Sequence, residues 1–158
     1  MMTNSLDTNI TRYLNAQRVS FRVLPHQSPV TTIEDAAKQR GVLPEQMVKC
    51  ILLRDMGNLY ALACVPGDRL ADPKRVRSLL GCRRMTCADQ SDIEKLTGYQ
   101  IGTVTPLLLP TKMPIIFDHR LMQQSEVTIS SGSLLAGIAL QIDDLFNLCN
   151  PVLADICR

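Results

Sequence analysis

The run Met47-Val48-Lys49-Cys50-Ile51-Leu52-Leu53 has strand-like length and is apolar on both of its alternating faces, with one exception. Lys49 shares a face with Met47, Ile51 and Leu53, while Val48, Cys50 and Leu52 point the other way. An ammonium held in such a run has no wet side to lie on, and it costs free energy unless an anion or a water-lined cavity receives it. Two readings follow. In one, Lys49 sits near a strand end, snorkels to solvent or guards a sheet edge. In the other it is a cation at the mouth of a pocket, suited to a phosphate or to a developing negative charge.

Strands, helices and turns can be placed around that run. Ile10, Tyr13 and Leu14 have helical spacing and predict a first helix ending near Arg18, followed by a strand from Val19 to Leu24 closed by Pro25. Thr31 and Glu34 have capping-box spacing before a helix over Ile33 to Arg40 that stops at Gly41, and Pro44 to Gln46 reads as a short turn. Val48 to Arg54 and Leu59 to Val65, joined at Asp55-Met56-Gly57-Asn58, predict an antiparallel hairpin. Asp72-Pro73 starts a helix with Val76, Leu79 and Leu80 as its apolar stripe, ended by Gly81.

Further along, Arg83 to Cys87 suits a short strand, Ser91 to Thr97 a helix, Met113 to Phe117, Val127 to Ser130 and Leu135 to Leu140 strands, and the last helix starts near Asp143. Linkers between many strands are too short for parallel crossovers, so mixed or antiparallel pairing should dominate. The expected class is α+β, and with no repeat or low-complexity linker, residues 1–158 read as one domain.

A chain of 158 residues with 46% hydrophobic and 20% charged residues can bury a core without disulfide or metal support. No apolar stretch approaches the roughly 18 residues a membrane span requires. Met1 to Arg12 lacks the apolar core of a signal peptide, so a cytoplasmic protein with no membrane partner is the simplest reading. Cys50, Cys64, Cys82, Cys87, Cys149 and Cys157 form no Cys-x-x-Cys arrangement and read as reduced residues of apolar segments. His26 and His119 have no metal-ligand spacing around them, and no metal is expected. Asp118-His119 invites comparison with a catalytic dyad, but neighbours on an extended chain face opposite ways, so a solvated turn is expected there.

The net charge of +2 does not mark a nucleic-acid binder, yet Arg69, Lys74, Arg75, Arg77, Arg83 and Arg84 lie between Asp68 and Arg84 against only two acids. They form either a phosphate-contacting face for tRNA or the solvated side of a helix and its loops. Two segments offer backbone donors. In Gly102-Thr103-Val104-Thr105-Pro106 the glycine lets the backbone approach a ligand and the proline fixes the return of the loop, so intervening amides can polarise a carbonyl oxygen. Ser130-Ser131-Gly132-Ser133 reads as a small-residue turn able to form an anion-binding concavity. One cation and two donor turns point to an anionic or ester-bearing ligand. No Ser/His/acid triad, P-loop or dinucleotide fingerprint is present.

The order of Val19-Ser20-Phe21, Gln46 to Leu53, Thr97 to Leu107, Ile116-Phe117-Asp118, Val127 to Gly132 and Asp143-Asp144-Leu145 resembles the YbaK family, whose superfamily includes the editing domain of bacterial prolyl-tRNA synthetases. The resemblance covers nearly the whole chain. It implies a mixed, largely antiparallel, barrel-like sheet surrounded by helices, and hydrolysis of the ester joining a wrongly attached small amino acid to the 3′-terminal ribose of a tRNA, tRNA-Pro or a related one. No cofactor is implied. Lys49 matches the family's active-site lysine, Gly102 to Pro106 its substrate-positioning loop, and Ser130, Ser131 and Gly132 the turn lining the same pocket. Asp118 matches an acid at the end of a preceding strand, with a structural role by default. The substrate's own ribose hydroxyl would help activate water.

Two departures bear on the substrate. Gly137 stands where the branch that removes cysteine from tRNA for proline carries an acidic residue, and Thr32 where that branch has an aromatic one. Alanine, serine, threonine and cysteine all remain open, since a pocket separates neighbours in size by only about 1–3 kcal/mol. The expected partner is the aminoacyl-tRNA acceptor end, with an aminoacyl-tRNA synthetase or elongation factor as a further one. The rival reading is a non-catalytic module that binds tRNA ends, nucleotides or a protein.

Overall fold

The computed structural model describes residues 6–158. The leading residues 1–5, on which part of the signal-peptide reading rests, lie outside the described residues. Helix α1 (Asn9–Ala16) starts at Thr8, whose hydroxyl accepts the Thr11 amide, and turns Ile10 and Leu14 into the core. Strand β1 (Phe21–Pro25) leads to α2 (Ile33–Arg40), whose first-turn acids and last-turn cations suit the helix dipole. Its cap is Thr32, not the expected Thr31, because a helix beginning at Ile33 leaves Thr32 in extended geometry with its hydroxyl 3.1 Å from the Asp35 amide.

The hairpin forms as expected from β2 (Val48–Asp55) and β3 (Tyr60–Pro66), with Lys49 opposite Val65 and Cys50 opposite Cys64. Asp55 closes it by accepting the amides of Gly57 and Leu59. Helix α3 (Pro73–Leu80) carries the Asp72 cap, β4 (Met85–Cys87) returns along β2, and α4 (Gln90–Thr97) ends at Gly98. After a long loop come β5 (Ile115–Asp118), a 3-10 turn (His119–Gln123), β6 (Glu126–Ser133), β7 (Ala136–Gln141), α5 (Ile142–Cys149) and β8 (Val152–Ala154).

The described strands make two sheets, ordered β1-β7-β6 and β4-β2-β3-β5-β8. Pairing is antiparallel except for β3 with β5 and β5 with β8. One parallel bridge, Met47 to Thr128, joins the sheets, so the barrel-like form is two sheets meeting along β2 and β6 instead of one continuous ladder. The five-stranded sheet is covered on both faces. Val48, Leu52, Leu62, Cys64 and Phe117 pack with Ile10, Leu14 and the other sheet's Ile129 and Ile138. Leu53, Ala61, Ala63, Val65 and Ile116 pack with Val76 of α3 and Ile156. This double burial accounts for the two apolar faces of β2, each large buried side chain contributing about 1.5–3 kcal/mol.

Candidate active site

A cavity of about 240 Å³ opens where α2, the start of β2, the loop after α4 and the end of β6 converge. It gathers Lys49, Gly102, Val104, Ser130 and Thr32 from the predicted set, over a floor that includes the buried side chains of Val30, Ala36 and Met47. Thr103, Thr105, Pro106, Ser131, Gly132 and Gly137 do not line it.

Lys49, the second residue of β2, is half-buried, and its ammonium makes no hydrogen bond or ion pair among the described residues. Burial lowers its pKa, partly offset by Cys157 and by the carboxylates of Glu34 and Asp68. The loop supplies donors beside it. Gly102 has φ of 87°, a left-handed conformation that favours glycine. Thr103 anchors the turn, its amide and hydroxyl both donating to the Gln100 carbonyl at 2.9 and 2.8 Å. The amides of Gly102 and Val104 donate to nothing among the described residues. Thr105 is fully buried and its hydroxyl has no partner there. Pro106 is buried beside a second cavity of about 200 Å³, and its carbonyl accepts from the Cys149 thiol.

Ser130 to Ser133 is not a turn. It is the irregular end of β6, and the reversal falls on Leu134 and Leu135. Ser130 lines the cavity, its hydroxyl accepting the Gly132 amide at 3.1 Å. The buried Ser131 hydroxyl donates to the Ala136 carbonyl at 2.7 Å, which holds the bulge, while Gly132 packs on the Tyr99 ring.

Residues 27–148 match the aminoacyl-tRNA editing domain. This chain belongs to the aminoacyl-tRNA editing domain family. It is 29% identical over 122 residues to a proline–tRNA ligase of Thermoanaerobacter sp. (strain X514), a match spanning 73% of this chain and 21% of the ligase. The chain thus corresponds to about a fifth of that relative's length. Over 159 residues it is 25% identical to the uncharacterized protein YwhH of Bacillus subtilis (strain 168), covering 100% of this chain and 98% of YwhH. Among solved structures, the hypothetical protein APE2540 superposes with a TM-score of 0.88 at 24% identity, covering 96% of this chain and all of that one. A candidate trans-editing enzyme for prolyl-tRNA synthetase superposes with a TM-score of 0.84, also at 24% identity, covering 98% of this chain and 99% of that one. These two show the shared fold.

The editing domain also holds a cation in its cavity that its sequence does not announce. Arg40, at the end of α2, reads as an ordinary last-turn cation, yet it lines the cavity and crosses to the other sheet. Its Nε donates to His26 Nε2 at 3.1 Å and a terminal nitrogen donates to Thr128 Oγ1 at 3.0 Å. His26 Nδ1 lies 2.8 Å from the Leu134 carbonyl, so the imidazole is the neutral Nδ1–H tautomer, and burial lowers its pKa. Gly137 leaves room for Arg40, since a Cβ there would fall 2.2 Å from Arg40 Nε. Burial lowers the Arg40 pKa to about 10, and no carboxylate pairs with it among the described residues.

Asp118 corrects an expectation. It is fully buried, not part of a solvated turn, because its carboxylate accepts the amides of Arg120, Ile156 and Cys157. Only His119 is exposed. Ligand atoms of Asp118, His119 and Asp155 lie within 4.8 Å of one another, a grouping not foreseen from spacing, but Arg120 bonds both acids and Arg75 lies 2.8 Å from Asp155. The cations already balance those carboxylates. That engagement also takes Arg75 out of a free basic face; Lys74 and Arg75 flank Asp155, whereas Arg83 lies by the β2–β3 turn. None of Arg69, Lys74, Arg75, Arg77, Arg83 and Arg84 lines the cavity.

Proposed function

We propose that this editing domain hydrolyses, in trans, the ester between a small amino acid and the 3′-terminal ribose of a mischarged tRNA. The observation that carries the reading is the convergence on one cavity of a lysine unpaired among the described residues and of Gly102 and Val104, whose amides are unengaged among them. Water adds to the ester carbonyl, the bond from the acyl carbon to the ribose oxygen breaks, and the amino acid leaves as the oxygen regains a proton. The amides stabilise the charge that develops on the carbonyl oxygen, and Lys49 holds the terminal phosphate. No histidine or carboxylate among the described residues lines the cavity, which suits activation of water by the substrate's neighbouring ribose hydroxyl. Similarity to proline–tRNA ligases favours tRNA-Pro as the carrier.

The test is release of radiolabelled amino acid from tRNAs charged with alanine, serine, threonine or cysteine. The reading expects release from at least one species well above its spontaneous rate. Release at the spontaneous rate from all of them overturns it in favour of a module that binds without turnover.

A further inference from the structure

Among the described residues the cavity is lined by two cations, Lys49 and Arg40, and by no acid. An arginine taken out of water without a carboxylate is costly to keep, and the fold goes out of its way to keep this one. A neutral imidazole and a threonine hydroxyl position its plane, and the absence of a side chain at residue 137 makes the space. Those contacts engage two of the guanidinium donors and leave the others without an acceptor among the described residues. Thr128, which its guanidinium meets, and Met47 and Ala36 in the same lining are almost fully buried, while Gly102 and Thr32 are exposed.

We propose that Arg40 is a ligand-binding residue that receives an oxyanion of the bound ligand. Guanidinium geometry suits both a carboxylate and a phosphate. The two sources are the 5′-phosphate of the terminal adenosine and the side-chain carboxylate of an aspartyl group, a small acidic residue to be added to the four neutral ones considered above. Arg40 acts with Lys49 but is not equivalent to it: its plane is fixed by His26 and Thr128, whereas the ammonium of the lysine has no partner among the described residues. The inference rests on reading the cavity as the site for the aminoacyl end of tRNA, and its test uses binding, so absent turnover leaves it testable.

Calorimetry with two pairs of probes separates the sources. One pair is AMP and adenosine; the other is the non-hydrolysable 3′-aspartylamido and 3′-asparaginylamido derivatives of 3′-deoxyadenosine. The expected result is that the wild-type protein prefers the anionic member of one pair by tenfold or more and that Arg40→Gln loses this preference. Preference within the first pair assigns the phosphate, within the second the carboxylate. Equal binding within both pairs by the wild-type protein overturns the proposal without recourse to a variant. A preference that persists in Arg40→Gln and disappears in Lys49→Ala overturns it too. A protein that releases amino acids while showing no charge preference removes this inference alone.

Discussion

The Asp118 carboxylate lies 2.9 Å from the backbone amide of Ile156, tying the end of β5 to a segment 38 residues further along the chain. The same group accepts the Cys157 amide at 3.2 Å and the Arg120 amide at 2.9 Å. Asp118→Ala leaves buried donors without an acceptor and should cost about 3–5 kcal/mol in urea unfolding. A loss under 1 kcal/mol would mean that the carboxylate does not hold the tail.

Acid stability should follow from the same residue. Burial alone would raise its pKa, but the amides of Arg120 and Ile156, the Cys157 thiol and the Arg120 guanidinium outweigh it and hold it below the ordinary aspartate value. A group with a depressed folded pKa contributes stability that is fully present above its unfolded value, about 3.9, and lost as pH falls through the folded one. The stability of the wild-type protein should therefore drop below about pH 4, with a shallower drop in Asp118→Asn. Parallel acid limbs for the two proteins would refute the assignment.

Thr105 offers the opposite sign. Its buried hydroxyl has no partner among the described residues, so the near-isosteric Thr105→Val should raise stability by about 1 kcal/mol. A lower melting temperature would show that the hydroxyl is satisfied in solution.

Local chemistry was legible where one segment decides its own structure. Asp72-Pro73 begins α3 and Gly98 ends α4 as their residue types require. Lys49 stood out because its own strand is apolar. What escaped depends on partners distant in the chain. Arg40 looks like a solvated helix-end cation until Thr128 and Gly137 are brought against it, and Asp118 looks solvated until the Ile156 and Cys157 amides arrive. Ser130 to Ser133 has the composition of a turn, but pairing with β7 makes it a bulged strand. The short strand β8, with Val152 and Leu153 exposed, carries no apolar alternation to mark it.

Gly102 tests the loop. With φ of 87°, Gly102→Ala incurs about 1–2 kcal/mol of backbone strain, while the added Cβ meets Leu134 at an ordinary 3.6 Å. Relief of that strain moves the Val104 amide, so kcat/KM for deacylation should fall at least about tenfold, or 1.4 kcal/mol, with the fold retained. Undiminished kcat/KM would remove the loop from the site.

The central claim is that the unpaired ammonium of Lys49 serves the reaction. Single-turnover deacylation of the most rapidly released aminoacyl-tRNA, run beside Lys49→Ala, tests it most directly. The variant loses a desolvated charge and no hydrogen bond, so it should melt at or above the wild-type temperature while its deacylation falls to the spontaneous rate. A folded Lys49→Ala protein that releases the amino acid as fast as the wild type would contradict the account.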